Sequence, residues 1–298
     1  MSVLLPAFKL FWKLNAKEDF ERIALQTPTA NVDEIIDIPY INDGKKEHTL
    51  DVYFPSKTDK RLPVIVDIHG GGWLGGSKEI NKNYCLNLAS KGFTVFSINY
   101  RLAGDYRFKD QIEDMFAAFD FIAENACDYP ADLNNTFLTG DSAGGHFVCV
   151  ISAICSDREL QKDFSINEPA LKFKAVGAVC PAVDLVSPNI KMNINLPEIL
   201  GPELKRSKYF KYMDFKRIAN RNMPPFYVVT SSGDFLRKQA YKLCETLDRN
   251  KIEYKFHDFE GYYAGRKLPH VFPVLDPSPS YSQECINEML DFFIKHSN

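Results

Sequence analysis

The sequence lacks the patterns by which several large classes of protein are recognised. It contains no C-x-x-C pair and no H-E-x-x-H, which are common zinc-ligand spacings. No basic run is interleaved with aromatic residues, and the formal net charge is −3. Both features argue against a nucleic-acid-binding surface. Internal repeats and low-complexity tracts are also absent. We therefore expect no metal, no other cofactor and no nucleic-acid partner.

Cysteine pairing is missing as well, although seven cysteines are present. Their number is odd, they are scattered along the chain, and Cys149, Cys155 and Cys180 lie in apolar segments. A disulfide framework is typical of small secreted chains with regularly spaced cysteines. The pattern instead predicts reduced, mostly buried thiols and a cytoplasmic protein.

The chain has 298 residues, of which 45% are hydrophobic, and this suffices for one large domain. Strand-like residues 35–40 and 48–54 flank the turn Asn42-Asp43-Gly44 and predict a hairpin. Strand-like and helical segments then alternate, which predicts an α/β fold with a mostly parallel central sheet and helices on both faces. The further predicted strands are residues 63–69, 92–99, 136–139, 173–180, 226–230 and 254–259, and the predicted helices are residues 83–90, 112–125, 144–155, 237–249 and 282–295.

Two segments stand outside this alternation. The apolar stretches of residues 1–24 are broken by lysines, are too short to span a bilayer, and lack the order of a signal peptide. We interpret residues 1–30 as a helical segment that packs on the protein; attachment to a membrane surface, without stable insertion, is the alternative. Residues 183–222 are too long for a plain loop. We expect both segments to form a small helical cap on a domain of residues 31–298.

Two glycine-rich motifs point to the chemistry. Gly140-Asp141-Ser142-Ala143-Gly144-Gly145 fits G-x-S-x-G, the sharp turn between a strand and a helix that exposes a serine hydroxyl. His69-Gly70-Gly71-Gly72-Trp73 ends an earlier strand-like run, and backbone N–H groups in such a glycine run can face an oxyanion. A chance glycine turn would explain the first motif but not the pair. Together they predict a serine hydrolase whose nucleophile is Ser142.

A serine nucleophile needs a histidine base. In α/β folds whose serine lies on a G-x-S-x-G turn, this histidine follows both the serine and the acid along the chain. Only His257, His270 and His296 follow the serine. His257 falls inside a strand-like run and His296 in the C-terminal tail, whereas His270 lies in a loop before the last helix. We therefore predict His270 as the base. His146 is expected to point away from the nucleophile, and His69 to hold the glycine loop.

The acid of the triad is predicted to be Asp234. It follows the strand-like residues 226–230, and catalytic groups collect at the carboxyl ends of such strands. A carboxylate there would fix the histidine tautomer and stabilise the imidazolium. Capping of the next helix is an alternative role that is compatible with catalysis. Asp258 and Asp184 are rival candidates for the acid.

The chain resembles the hormone-sensitive-lipase-like branch of α/β-hydrolase esterases, which includes acetyl esterases and carboxylesterases. The resemblance implies Ser142, Asp234 and His270 as the triad, and the N–H groups of Gly71, Gly72 and Ala143 as the oxyanion hole. It rests on His69-Gly70-Gly71-Gly72, Asn99-Tyr100-Arg101-Leu102-Ala103, Gly140-Asp141-Ser142-Ala143-Gly144-Gly145, Gly233-Asp234 and His270-Val271-Phe272. The chain departs from the family where Gly104-Asp105 follows Ala103, where Phe235 follows the acid in place of proline, and where Val271 replaces a glycine.

The substrate is less defined by the sequence. Trp73, Phe147 and the aromatic residues 209–215 are candidates to line an apolar substrate pocket, although packing inside the protein explains each equally well. No large lipid-binding face is evident, so we expect a carboxylesterase acting on small, soluble, short-acyl esters through an acyl-enzyme. The alternatives are an amidase or formamidase that uses the same triad, and a non-catalytic small-molecule binder.

Overall fold

The computed structural model describes residues 5–27, 29–187, 191–263 and 265–297. Its centre is an eight-stranded sheet in the order β1-β2-β4-β3-β5-β6-β7-β8. The pairs β1–β2 and β2–β4 are antiparallel, and all other neighbours are parallel. The strands are β1 (Val32–Pro39), β2 (Thr49–Pro55), β3 (Leu62–Ile68), β4 (Thr94–Ile98), β5 (Ala131–Asp141), β6 (Phe173–Val179), β7 (Phe226–Ser231) and β8 (Tyr254–Phe259).

Helices connect the strands and cover the sheet. They are α1 (Leu5–Leu25), α2 (Lys82–Ser90), α3 (Phe108–Asn125), α4 (Ala143–Ser156), α5 (Arg158–Asp163), α6 (Leu196–Leu200), α7 (Arg237–Asn250), α8 (Phe272–Leu275) and α9 (Ser280–Lys295). A small hairpin of β9 (Tyr262–Tyr263) and β10 (Arg266–Lys267) follows β8. Short 3-10 helices lie at Lys46–His48, Lys78–Asn81, Ala126–Asp128, Lys191–Asn195, Leu204–Arg206, Lys208–Met213 and Phe215–Arg217.

The strands divide their side chains between two hydrophobic cores, one on each face of the sheet. In β3, Val64, Val66 and Ile68 join the core that contains residues of α3, α4 and α7. Ile65, between them, joins the core that contains residues of α2 and α9. This alternation is the period of two of a strand, and burial of both faces explains why every residue of the run except Asp67 is apolar. The predicted α/β architecture is therefore confirmed.

Several element boundaries differ from those predicted. The helix expected at residues 112–125 begins at Phe108, because Asp110 accepts a hydrogen bond from the backbone N–H of Arg107 at 2.8 Å and caps that end. The strand before the serine begins at Ala131 rather than at residue 136. Helices α5 and α8 and the hairpin β9–β10 were not expected, since each is shorter than the stretch of residues over which a periodic pattern can be recognised.

A fully buried lysine anchors the chain just after the glycine run. Lys78 is 1% exposed, and its Nζ lies 2.7 Å from carboxylate oxygens of Asp37 and of Asp51 and 2.9 Å from Glu79. Burial alone would lower the pKa of Lys78, but the hydrogen bonds from its ammonium to these carboxylates raise it. The charged cluster joins the glycine loop to β1 and β2.

The two segments expected to form a cap have different structures. Residues 5–25 form one continuous helix, α1. The segment between β6 and β7 contains α6 and four short 3-10 helices. Residues 1–4, 28 and 188–190, which belong to these two segments, lie outside the described residues. Among the residues that are described, no helix is both long and apolar enough to cross a membrane.

Candidate active site

Ser142 occupies the sharp turn between β5 and α4. Its backbone has φ 54° and ψ −110°, and its N–H donates to Val179 O at 2.9 Å. A Cβ atom at Gly144 would lie 2.0 Å from Ile68 O, and one at Gly145 would lie 2.8 Å from the Cα of Pro181. The turn therefore requires glycine at both positions, since the start of the helix touches neighbouring backbone.

Three predicted residues meet at the carboxyl ends of the strands. His270 Nε2 lies 2.9 Å from Ser142 Oγ, and His270 Nδ1 lies 2.6 Å from Asp234 Oδ1. A carboxylate can only accept a hydrogen bond, so Nδ1 carries a proton in this arrangement and Nε2 accepts from the serine hydroxyl. This is the tautomer that a general base needs.

The carboxylate of Asp234 is held by other donors besides His270. Oδ1 also accepts from the N–H of Leu236 at 2.7 Å, and Oδ2 accepts from the Thr230 hydroxyl at 2.7 Å. Burial alone would raise the pKa of Asp234, but the hydrogen bond and electrostatic attraction of His270, followed by the other two donors, hold it below its usual value. The group is therefore ionised at neutral pH.

The rival candidates have partners elsewhere. Asp258 accepts from Arg237 Nε at 2.8 Å, and Asp184 lies 2.5 Å from Lys242 Nζ. His257 Nδ1 lies 3.0 Å from a glutamate carboxylate on α9. These contacts are made away from the serine, so the structure brings only the predicted set together.

The glycine run forms a tight loop beside the serine. Gly71 and Gly72 have φ of 120° and 58°. A Cβ at Gly71 would lie 2.0 Å from the carbonyl oxygen of Gly75, so no other residue fits there. Within the described part of the chain, the N–H groups of Gly71, Gly72 and Ala143 find no protein acceptor. Three unoccupied donors near a nucleophile are what an oxyanion hole requires.

His69 makes the contacts expected of a residue that holds this loop. Its Nδ1–H donates to Gly70 O at 2.7 Å, and its ring stacks on Tyr100 with centroids 4.3 Å apart. The Tyr100 hydroxyl donates to His69 O at 2.8 Å. Burial lowers the pKa of His69 to about 4, so the imidazole is neutral and serves as a packing group.

A buried polar cluster beneath the loop was missed by the sequence analysis. Asp141 Oδ1 accepts from Gly70 N–H and from Asn81 Nδ2, both at 3.0 Å, and the same Asn81 nitrogen reaches Asp67 Oδ2 at 3.0 Å. Burial, followed by the charge of Asp141, raises the pKa of Asp67 to about 7. The one available signal was an aspartate inside the apolar run of β3.

Trp73 and Phe147, the residues proposed to contact substrate, are buried instead. Trp73 is 1% exposed, and its Nε1–H donates to His146 Nδ1 at 3.2 Å. His146 Nε2–H in turn donates to Tyr212 O at 2.8 Å. Phe147 is 0% exposed and stacks on Phe108. The packing alternative therefore describes both residues, because α4 is surrounded by protein on all sides. His146 ties the glycine loop to the segment before β7.

Helix α1 lies along the glycine loop. A Cβ at Gly72 would come within 2.6 Å of the Trp12 indole, and one at Gly75 within 2.5 Å of it. The indole therefore rests directly on the loop that carries the predicted oxyanion donors. Near the other end of the helix, Gln26 Nε2 donates to Leu275 O at 2.6 Å, five residues beyond His270.

One group of potential metal ligands lies within the described residues. Cys180 Sγ, Asp234 and His270 offer ligand atoms within 4.8 Å of one another. The last two are already joined by a hydrogen bond that a metal ion would have to break. Cys180 Sγ accepts from the N–H of Val271 at 3.3 Å, and burial raises the pKa of the thiol well above its usual value. The group fits a neutral thiol that packs beside Asp234 and His270.

Known proteins with similar sequences are hydrolases. A family model described as BD-FAE matches residues 50–247, more than half of the chain. Carboxylesterase NlhH of Mycobacterium tuberculosis is 27% identical over 221 residues, which are 69% of this chain and 66% of that protein. The arylesterase of Saccharolobus solfataricus is 28% identical over 205 residues, 65% of this chain and 66% of that protein. The alignments thus span just under two thirds of both relatives.

Solved structures extend the match to nearly the whole chain. Esterase B from Lactobacillus Rhamnosis (HN001) superposes with a TM-score of 0.92 at 28% identity, covering 99% of this chain and 95% of that one. The same values hold for that esterase inhibited by a C4-C4 SN3 tributyrin phosphonate. With the strand order, the turn at the serine and the family match in agreement, the chain belongs to the BD-FAE family and has the α/β-hydrolase fold.

Proposed function

We propose that this protein hydrolyses small, soluble carboxylic esters with short acyl chains, using Ser142, His270 and Asp234 as its catalytic triad. The observation that carries the proposal is the unbroken line of hydrogen bonds from Asp234 through His270 to Ser142. It ends on a serine whose backbone is strained into the left-handed region, a conformation that clusters at active sites.

The geometry supports a two-step reaction. His270 Nε2 takes the hydroxyl proton as Ser142 Oγ attacks the ester carbonyl, and Asp234 stabilises the imidazolium. The tetrahedral intermediate collapses when the imidazolium protonates the leaving alcohol, which leaves an acyl-serine. Water, deprotonated by the same imidazole, then attacks the acyl group and regenerates the serine. Each proton thus moves through one nitrogen atom of one side chain.

The N–H groups of Gly71, Gly72 and Ala143 are proposed to bind the oxyanion. They meet no protein acceptor in the described structure, so they can donate to charge that develops on the carbonyl oxygen. Loss of one such donor costs about 2.7–4 kcal/mol of transition-state stabilisation in other hydrolases. Asp141 supports the hole indirectly, because its carboxylate holds the N–H of Gly70.

The proposed preference for short acyl chains rests on the segments around the site. Trp12 of α1 lies on the glycine loop, and Asn195 Nδ2 reaches Gly72 O at 3.4 Å from the segment before β7. Together they restrict the space beside the oxyanion hole, as the expected cap would. The tributyrin phosphonate named for the Lactobacillus esterase carries C4 chains, which supports the same range of chain length.

The test compares Ser142→Ala, in the turn before α4, with Ser156→Ala, a control at the far end of α4. We expect Ser142→Ala to lose p-nitrophenyl acetate hydrolysis by about 10⁶-fold, as serine removal does in other triads. It should also lose labelling by a fluorophosphonate, with unchanged circular dichroism. The control should retain both activities. Turnover by Ser142→Ala, or labelling of another residue, would overturn the proposal. A folded wild type without turnover of any ester would instead indicate a binding protein.

A further inference from the structure

Phe235 is an exposed aromatic residue in contact with the proposed base. It directly follows Asp234, its side chain is 72% exposed, and its ring centroid lies 4.3 Å from that of His270 at an interplanar angle of 49°. The next residue, Leu236, is only 5% exposed. The loop can therefore bury an apolar side chain at the position directly after Phe235, while Phe235 itself stays exposed. The Phe235 ring covers one side of the imidazole and leaves its own outer surface in water.

The chemistry of the proposed reaction places one part of the substrate beside this ring. His270 must protonate the leaving oxygen, so that oxygen has to come within about 2.6–3.2 Å of Nε2. The carbonyl oxygen of the same ester is bound by the glycine loop instead. The alcohol substituent therefore begins next to the imidazole that Phe235 covers.

From this arrangement, and resting on the proposed function, we infer that Phe235 contacts the alcohol portion of the substrate and selects esters whose alcohol is aromatic or bulky and apolar. The exposed ring offers a surface without charge, and aromatic pairs gain stabilisation beyond their buried area. Trp12 lies on the glycine loop rather than on His270, so it does not supply this contact.

A competing role for Phe235 is to orient the imidazole alone. That role makes a different prediction, because His270 acts in both chemical steps. If Phe235 only orients the imidazole, its removal would slow both acylation and deacylation for every ester. A contact with the alcohol affects acylation only, because the alcohol has left before water attacks the acyl-serine.

The experiment compares phenyl acetate with methyl acetate, which form the same acetyl-enzyme. We expect Phe235→Ala to lower kcat/KM for phenyl acetate about tenfold, and for methyl acetate less than about twofold. With p-nitrophenyl acetate, the burst that reports acylation should slow while the deacylation rate is unchanged. Phe235→Leu should retain part of the phenyl acetate activity. Ile294→Ala removes an exposed apolar side chain from α9 and should change neither ester.

Two outcomes would overturn the inference. Equal losses on both acetates, with slower deacylation, would assign Phe235 to orientation of the imidazole. Unchanged phenyl acetate kinetics would show that the ring makes no substrate contact. Failure of the proposed function is separate, because then the wild type itself would hydrolyse neither ester and would not react with a fluorophosphonate.

Discussion

Replacing Asp234 by asparagine exchanges one carboxylate oxygen for an amide nitrogen. The surrounding hydrogen bonds decide whether the nitrogen takes the Oδ1 or the Oδ2 position. Oδ1 accepts from both His270 Nδ1–H and the Leu236 N–H, whereas Oδ2 accepts from the Thr230 hydroxyl. A peptide N–H cannot accept, so the amide oxygen must take the Oδ1 position. The amide nitrogen then faces a hydroxyl that can accept. We therefore expect Asp234→Asn to keep the productive tautomer of His270.

The activity lost should then reflect the missing charge rather than a wrong tautomer. Two unit charges about 4 Å apart interact by about 4 kcal/mol at an effective dielectric of 20. At 1.36 kcal/mol per factor of ten, this corresponds to about a thousandfold lower kcat. A wrong tautomer costs about 10⁴-fold in a serine protease triad. The two explanations differ enough to be separated by experiment.

The assay is kcat and KM for p-nitrophenyl acetate, with Asp258→Asn as the control for a partly buried aspartate outside the triad. Thr230→Val should lower kcat only a few-fold in the wild type. In the Asp234→Asn background it removes the acceptor for the amide nitrogen, and a further loss of about tenfold is expected. A loss of 10⁴-fold or more in Asp234→Asn alone, unaffected by Thr230→Val, would refute this reasoning. Greater damage from Asp258→Asn would refute the assignment of the acid.

Three other perturbations address the rest of the molecule. Lys78→Met removes the cation that pairs with the buried carboxylate of Asp51, so urea denaturation should show a loss of about 3–5 kcal/mol in unfolding free energy, against less than about 0.5 kcal/mol for Lys17→Met on the surface. The pKa of Asp67 is raised in the folded state, so its ionisation opposes folding as pH rises from about 4 to about 7. Asp67→Asn should therefore gain stability relative to the wild type across this window, by up to about 4 kcal/mol at pH 8, whereas the exposed Asp291→Asn should show no such trend. Trp12→Ala opens space on the glycine loop and should raise the ratio of kcat/KM for octanoate esters to that for acetate esters about tenfold, the effect of burying two more methylenes. Reactivity toward a fluorophosphonate should be unchanged. An unaltered ratio in a folded variant would show that α1 is not part of the acyl site.

The sheet, and the meeting of Ser142, His270 and Asp234 in one hydrogen-bonded line, could be predicted because they depend on local patterns and chain order. The apolar run of β3 requires burial on both faces, and the turn at Ser142 requires small neighbours. Asp234 and His270 then followed from where loops leave parallel strands. In each case the relevant signal lies within a few residues of the side chain concerned.

The surroundings of the site were less accessible because they depend on contacts between distant segments. Helix α4 is apolar on every side, so its sequence does not show whether Phe147 meets a ligand or another helix. His146 binds a carbonyl 66 residues away, and no local pattern encodes that distance. Lys78 is buried because carboxylates from β1 and β2 converge on it. The contact of Phe235 with the base depends on how two loops meet.

The long separation between the nucleophile and the base has a consequence for protein synthesis. Ser142 precedes His270 by 128 residues, so at about 5–20 residues per second the ribosome adds the base some 6–26 s after the serine. Strand β5, which leads to the serine, also needs α9, where Phe293 stacks on Phe137 with centroids 4.7 Å apart. A nascent chain therefore contains Ser142 before His270, and the proposed reactivity toward esters can arise only when the last strands and helix have joined the sheet.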